Sequence, residues 1–419
     1  MQTQLADFIK HTPEGLEADA ILRSCVHCGL CTATCPTYQL LGDERDGPRG
    51  RIYLIKQMLE GQSVSAKTQL HLDRCLTCRA CETVCPSGVR YGRLLDIGRD
   101  VLEKKVPRAW LDWLQRKGLR MILPYPKRFA LLLHVGRWLK PVLPGYWANK
   151  IPKSPKKTDS VSKTESVSLT DSVSIWPEIR HARQMLVLEG CVQSTLAPSI
   201  NTAAARVLDR LGISLIRAPA AGCCGALSYH LSAREEGLGF MRRNIDAWMP
   251  YLEQGVEAIV MTASGCGVMV KDYAAALQHD PAYAEKAARV SALTLDFAEV
   301  LAREDLSLLP TGQGRRIAIQ SPCTLQHGQQ LPGLVEGILA GQGFALAPVA
   351  NPHLCCGSAG TYSILQPDLS LRLLHGKLAA LEAGKPECIA TANIGCLTHL
   401  QSGTNLPVVH WLELLDFRC

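Results

Sequence analysis

Two cysteine runs near the N-terminus constrain this chain more than any other feature. Cys25, Cys28, Cys31 and Cys35 lie in CVHCGLCTATCP, and Cys75, Cys78, Cys81 and Cys85 lie in CLTCRACETVCP. Both read C-x2-C-x2-C-x3-C-P, a spacing that holds paired 4Fe-4S clusters. Three closely spaced thiolates wrap one cube of iron and sulfide, while the fourth is carried away to the other cube. The spacing therefore assigns one cluster to Cys25, Cys28, Cys31 and Cys85, and the other to Cys75, Cys78, Cys81 and Cys35. Pro36 and Pro86, each following a fourth cysteine, bend the chain away and remove a backbone donor.

Zinc and disulfides are the competing uses of such cysteines. Structural zinc sites separate two C-x2-C pairs by a dozen or more residues and need no third cysteine beside the first pair. Disulfides need an exported chain, yet MQTQLADFIKHTPEGLEADAILRS contains no apolar signal region and carries acids from Asp7 onward. A reducing cytosol is expected, where patterned cysteines serve as metal ligands or redox groups.

A chain of 419 residues with 47% hydrophobic content can bury ordinary cores and is expected to form two or three domains. The net charge of +7 is concentrated: residues 104–157 hold fourteen Lys or Arg against one acid, Asp112, together with Trp110, Trp113, Trp138 and Trp147. A basic, Trp-rich amphipathic segment suits a membrane interface. The alternative is a helical connector packed on the next domain with its charges solvated. Nucleic acid is not expected as a partner, given these tryptophans and the electron-carrying neighbours. No apolar run reaches 18 residues, so no membrane-spanning helix is expected. TDSVSKTESVSLTDSVS, residues 158–174, reads as a flexible linker.

Around the cysteine runs the pattern is helical. Thr12-Pro13-Glu14 marks a helix start, Arg51–Glu60 places Ile52, Ile55 and Leu59 on one face, and Gly92–Lys104 reads as a closing helix. Beyond the linker, short apolar runs alternate with longer amphipathic ones. Strands are expected at Met185–Leu188, Ile213–Ile216 and Ala258–Met261, with helices at Ser199–Leu211 and Ala233–Leu252. The order then repeats, with strands at Ile317–Ile319, Phe344–Leu346 and Cys388–Ala390 and helices at Leu331–Ala340 and Leu369–Leu381. Such alternation implies parallel sheets with helices on their faces.

The repeat is clearest in its cysteines. Cys191 and Cys323 each follow a strand, and 31 residues separate each from a Cys-Cys-Gly, Cys223-Cys224-Gly225 or Cys355-Cys356-Gly357. A later single cysteine, Cys266 or Cys396, follows the third strand. This equal spacing marks an internal duplication. Ligands gather beyond the carboxyl ends of parallel strands, so Cys191, Cys223, Cys224 and Cys266 should converge, as should Cys323, Cys355, Cys356 and Cys396. The two quartets are candidates for further iron-sulfur ligation. A redox-active thiol site and simple burial are the alternatives. The glycine after each Cys-Cys pair suits close approach to a cofactor. His27, His327 and His353 sit near cysteines and are weaker candidates to tune or replace a ligand. Cys388 and Cys419 fall outside the pattern and are expected to be structural.

Two such runs followed by two CCG cysteine-rich repeats resemble the iron-sulfur subunits of glycolate oxidase (glycolate dehydrogenase). The strings CVHCGLCTATCPTYQLLGDERDGPRGRI, TASGCG and ANIGCL carry the likeness. The layout is also similar to the C subunit of anaerobic glycerol-3-phosphate dehydrogenase and to heterodisulfide reductase subunits. The resemblance, which covers nearly the whole chain apart from residues 153–175, implies an α+β multidomain chain: an all-helical two-cluster ferredoxin domain (1–104) and two Rossmann-like α/β CCG repeats (176–310 and 311–419), joined by the basic Trp-rich helical connector (105–157) and the linker (158–175) read from composition. It also implies a relay of electrons from glycolate oxidation, carried out on flavoprotein partners that hold FAD, towards a membrane quinone. The chain would then be cytoplasmic and peripheral at the inner face of the cytoplasmic membrane. One departure stands out. The wider CCG pattern ends in C-x2-C, whereas here Ala263 and Asn393 precede Cys266 and Cys396, which puts disulfide-reductase chemistry in doubt.

Overall fold

In a computed structural model, residues 1–140 and 175–416 are described; the expected linker over 158–174 and Cys419 lie outside them. The first part is helical. Helix α1 (Pro13–Ser24) begins where Thr12 caps it, the Thr12 hydroxyl accepting from Gly15 N at 3.0 Å. Helix α2 (Pro48–Leu59) starts three residues earlier than the apolar stripe alone implies, because Pro48 takes the first helical position, where its missing N–H costs nothing. Helix α3 (Tyr91–Lys105) crosses α2 so closely that Ile55 packs on Gly98, where an added Cβ would come within 2.8 Å of its side chain. Ile21, Leu22, Ile52, Ile55, Met58, Leu94 and Leu95 form the core of this unit, with Cys25, Cys75 and Cys81 at its edge.

Helices α4 (Trp110–Ile122) and α5 (Pro126–Leu139) make a hairpin from the basic segment. Its arginines are not simply solvated. Arg108 pairs with Asp73 at 2.6 Å and Asp112 at 2.9 Å, and Arg116 pairs with the same two acids. Arg120 reaches Glu236 of the next unit at 2.9 Å.

The second part consists of two four-stranded sheets, every pairing parallel. Strands β1 (Arg183–Val187), β2 (Ile213–Arg217), β3 (Ile259–Met261) and β4 (Thr294–Asp296) are ordered β2-β1-β3-β4. Strands β5 (Arg316–Gln320), β6 (Ala345–Leu346), β7 (Cys388–Thr391) and β8 (Val408–His410) repeat that order as β6-β5-β7-β8. The fold is thus the expected combination of a helical unit and two Rossmann-like repeats. The fourth strands were not anticipated, since three residues are too few for periodicity to register.

Both fourth strands end in a reciprocal cap. Asp296 accepts from Ala298 N while Glu299 accepts from Asp296 N; at the matching place His410 Nδ1 accepts from Leu412 N while Glu413 accepts from His410 N. Each cap satisfies orphan donors of the following helical turn. Burial pushes Asp296 up to about 6 and His410 down to about 3. The two titrate in opposite senses. His410 is neutral when folded, so its contribution is present above its ordinary value of 6.5 and is lost as pH falls towards about 3. Asp296 favours the fold while protonated, and that contribution is lost as pH rises through about 6. Replacing His410 with Gln should therefore flatten the loss of urea stability between about pH 7 and pH 5. An unchanged slope in denaturation curves would contradict this role.

The repeats share one core. Met185, Leu208, Leu215, Val260 and Phe297 of the first pack in the same cluster as Ile317, Leu339, Phe344, Trp411 and Leu415 of the second. Trp411 meets Phe297 edge-on with centroids 6.2 Å apart. The backbone N–H of Ser264 donates to Ala392 O at 3.2 Å across the junction.

Candidate functional site: four cysteine clusters

Each cysteine run turns through left-handed residues. His27 and Gly29 have φ of 58° and 85°, and Thr77 and Arg79 have φ of 53° and 59°. Such values fold three thiols inward over few residues, and their occurrence at non-glycine positions is unusual enough to mark a site. Each fourth cysteine lies among the thiols of the other run. Burial, then the neighbouring Cys25, Cys28 and Cys85, pushes Cys31 up to about 11. Burial, then Cys78, Cys75, Glu82 and Cys35, likewise raises Cys81. The first candidate site is Cys25, Cys28, Cys31 and Cys85, and the second candidate site Cys75, Cys78, Cys81 and Cys35.

The donor set fits iron-sulfur clusters. The described cysteines are all free thiols. Where burial and mutual repulsion oppose ionisation of several thiols in one place, metal coordination reverses the balance. Backbone N–H groups also point at the sulfurs: Thr77 N lies 3.4 Å from Cys75 Sγ and Val89 N lies 3.5 Å from Cys85 Sγ.

The duplicated cysteines gather at the carboxyl ends of the sheets, beside the point where strand order reverses between β1 and β3, or β5 and β7. In the first quartet the Cys191 thiol faces Cys223, and Cys224 faces Cys266. Hydrogen bonding with Cys191 and Cys224 lowers Cys223 well below an ordinary thiol. In the second, Cys323 Sγ lies 3.9 Å from Cys355 Sγ, and Cys356 faces Cys396. Gly225 N and Gly357 N point at Cys223 Sγ and Cys355 Sγ from 3.5 and 3.4 Å.

These glycines have another reason for being glycine. At φ of 89° and 92°, an added Cβ would lie 2.7 Å from Gly237 O and 2.5 Å from Ser370 O. The close approach is thus to the backbone of the following helix. Asn393, standing where a further cysteine was considered, donates to Cys396 Sγ at 3.6 Å and accepts from Gly265 N at 3.3 Å.

The seam between the helical unit and the second repeat brings together cysteines that no local pattern connects. Cys78 of the second site adjoins both Cys323 and Cys355 of the second quartet. Leu76, Tyr362, Leu369 and Leu373 close around them. The seam is held by Tyr362 Oη donating to Arg74 O at 3.2 Å, by Arg372 donating to Leu40 O at 2.8 Å, and by Thr83 Oγ1 at 3.0 Å from His327 Nδ1. The other ring nitrogen of His327 lies 3.1 Å from His353 O, so both ring nitrogens have hydrogen-bond partners. A buried lysine, Lys377, stands near the second quartet and donates to Asn351 O and Pro352 O at 3.2 Å each.

Arg51 was missed as a site residue. It is 1% exposed, and its charge acts on Cys75, Tyr91, Cys35 and Asp46. A signal was present: Arg51 lies on the same helical face as the buried Ile55 and Met58, where a charged residue needs a partner in the interior.

Residues 21–89 match the family model described as a 4Fe-4S dicluster domain, and residues 185–271 and 317–401 each match the CCG cysteine-rich domain. The chain is 54% identical over 416 residues to the glycolate oxidase iron-sulfur subunit of Escherichia coli strain K12, covering 99% of this chain and 98% of that protein. It is 30% identical to the probable glycolate oxidase iron-sulfur subunit of Bacillus subtilis strain 168, covering 94% of this chain and 93% of the relative. Lactate utilization protein A of an Exiguobacterium strain is 26% identical over 54% of this chain and 94% of its own length. Likeness over the full length, with all three domain matches falling on the four cysteine clusters, places the chain in the family of glycolate oxidase iron-sulfur subunits.

Proposed function

We propose that this chain is the electron-transfer subunit of a flavin-dependent glycolate dehydrogenase complex. It would take electrons from the oxidation of glycolate to glyoxylate on an FAD-bearing partner and pass them towards a membrane quinone. The observation that carries this reading is the packing of Cys78 against the buried group that contains Cys323 and Cys355. It brings the second site against the second quartet, as a relay across the helical unit and a CCG repeat requires.

In this reading Cys25, Cys28, Cys31 and Cys85 hold one 4Fe-4S cluster, and Cys75, Cys78, Cys81 and Cys35 hold the other. Cys191, Cys223, Cys224 and Cys266 in one repeat, and Cys323, Cys355, Cys356 and Cys396 in the other, are the candidate ligands for further iron-sulfur clusters. Bound clusters supply one-electron steps with little rearrangement. The protein's own residues do the rest. N–H groups face the sulfurs, and Leu76, Tyr362 and Leu373 bury the space between two of the centres.

No described helix is long and apolar enough to cross a membrane. The α4–α5 hairpin nevertheless exposes Trp110, Leu111, Trp113, Leu114 and Trp138, and α4 has no buried residue at all. Exposed tryptophans on a basic hairpin suit the headgroup layer of an anionic membrane, which supports a peripheral position at the inner face of the cytoplasmic membrane. The proposed experiment combines the chain with its flavoprotein partners and lipid vesicles. Glycolate-dependent reduction of a quinone should require all the components, and the isolated chain should oxidise no glycolate. Replacing Trp110, Trp113 and Trp138 with Ser should reduce the vesicle-bound fraction about tenfold while reduction of a soluble dye continues. Glycolate turnover by the isolated chain would refute the relay, and unchanged vesicle binding would refute the membrane surface.

A further inference from the structure

The second cysteine site is served by a buried positive charge that has no counterpart among the described residues of the first. Arg51 donates through Nε to His71 O at 2.8 Å and through a terminal nitrogen to Thr37 Oγ1 at 3.2 Å. Thr37 Oγ1 in turn lies 3.3 Å from Cys35 Sγ and donates to Asp46 O at 2.8 Å. On the opposite side, Tyr91 Oη donates to Cys75 Sγ at 3.6 Å. Asp46, fully buried, meets Arg74 at 2.9 Å and Arg51 at 3.7 Å. Asp43, whose carboxylate lies within 4.8 Å of that of Asp46, is matched by Arg45 at 2.7 Å, so Arg51 and Arg74 against Asp46 leave a net positive charge, and the guanidinium does not titrate at ordinary pH. Glu82 beside Cys81 is neutralised by Arg79 at 2.8 Å.

Among the described residues, the cations near the first site are paired or open to water: Lys56, 18% exposed, pairs with Glu60 at 2.6 Å. The Arg49 side chain is 37% exposed and pairs with Glu44 at 2.6 Å. The N-terminal ammonium donates to Cys25 O at 2.9 Å from a partly open position, and Cys28 is exposed. Screening makes such charges count for little, whereas a buried charge acts through a low dielectric.

We propose that Arg51, with Thr37 and Tyr91, is a positioning set that makes the Cys35–Cys75–Cys78–Cys81 site the more readily reduced of the two. This rests on the ligand assignment above. The step is addition of one electron, supplied in the complex by reduced flavin on the partner, with no proton moved and no bond to the protein made or broken. Added negative charge is favoured by a buried cation and by hydrogen bonds to the ligand sulfurs. Electrons would thus collect at the site that adjoins Cys323 and Cys355, which gives the relay its direction.

The test is an EPR-monitored redox titration of the full chain, reconstituted anaerobically and reduced with dithionite through mediators. Arg51→Gln should lower the potential of one centre by at least the 59 mV that corresponds to tenfold in a one-electron equilibrium constant. The other centre should stay where it is, and Arg51→Lys should restore most of the shift. If Arg51→Gln fails to hold its iron, Tyr91→Phe and Thr37→Val carry the test: a smaller fall confined to the same centre supports the proposal, and no shift overturns it. Equal shifts of both centres also overturn it, since they indicate a general loosening. A wild-type iron content of about four with a single EPR signal would instead remove the ligand assignment, and the proposal with it.

Discussion

Replacing Cys35 with Ser should abolish the same EPR signal as Cys78→Ser, and leave intact the signal that Cys28→Ser removes. The expectation runs against chain order, because Cys35 belongs to the first run and Cys78 to the second. It follows from geometry. Helical residues Pro36–Leu41 start directly after Cys35, and Thr37 draws its sulfur towards Asp46 O, which lies 3.7 Å from Cys35 Sγ. Cys78 and Cys81 both sense Cys35, whereas Cys25 and Cys31 sense Cys85. Each Ser variant should lose about four irons from the ferredoxin-type unit, measured by iron and sulfide analysis. Glycolate-dependent quinone reduction in the complex should fall by about a hundredfold or more, since a missing centre breaks the series. Pairing of the Cys35 variant with the Cys28 variant in the spectra would contradict the exchange of fourth cysteines.

The second large effect lies outside the cysteine quartets and runs. Trp411 is 1% exposed and sits in the second repeat, but it packs on Phe297 of the first within the shared core. Trp411→Ala should cost about 3–5 kcal/mol, the usual range for emptying a buried aromatic site. Because the two sheets bury one core between them, both repeats should unfold in a single transition at lower denaturant. Polar contacts add to the coupling: Arg206 pairs with Asp416, and Ser199 donates to Glu413 at 2.8 Å. Two resolved transitions in a urea titration, with only the C-terminal one shifted, would show that the repeats are energetically separate.

Much of this molecule was legible in its sequence, for physical reasons. Cluster ligation demands thiols at fixed short spacing, so the runs at Cys25 and Cys75 announce their chemistry locally. The duplication was legible because Cys191 and Cys323 stand at equal distance from their Cys-Cys-Gly partners, and fully buried strands such as β1 and β5 read as apolar runs. Contacts between distant segments were not legible. Nothing near Cys78 signals Cys323, and nothing near Leu40 signals Arg372, which lies 332 residues away in the chain. The glycines of the two Cys-Cys-Gly motifs, Gly225 and Gly357, were anticipated for close approach to a cofactor, but the crowding partner is helix backbone, visible only once Gly237 O and Ser370 O are in place. Arg51 was hidden by its helix, since an arginine at a helix start is ordinarily a surface residue.

The central claim is that electrons from glycolate pass through this chain. It is tested most directly by freeze-quench EPR on the assembled complex after glycolate is added without quinone. Reduced-cluster signals that Cys28→Ser and Cys78→Ser chains lack should appear within one turnover, and the chain without its flavoprotein partners should show none. Sustained turnover through the complex with these centres remaining oxidised throughout would contradict it.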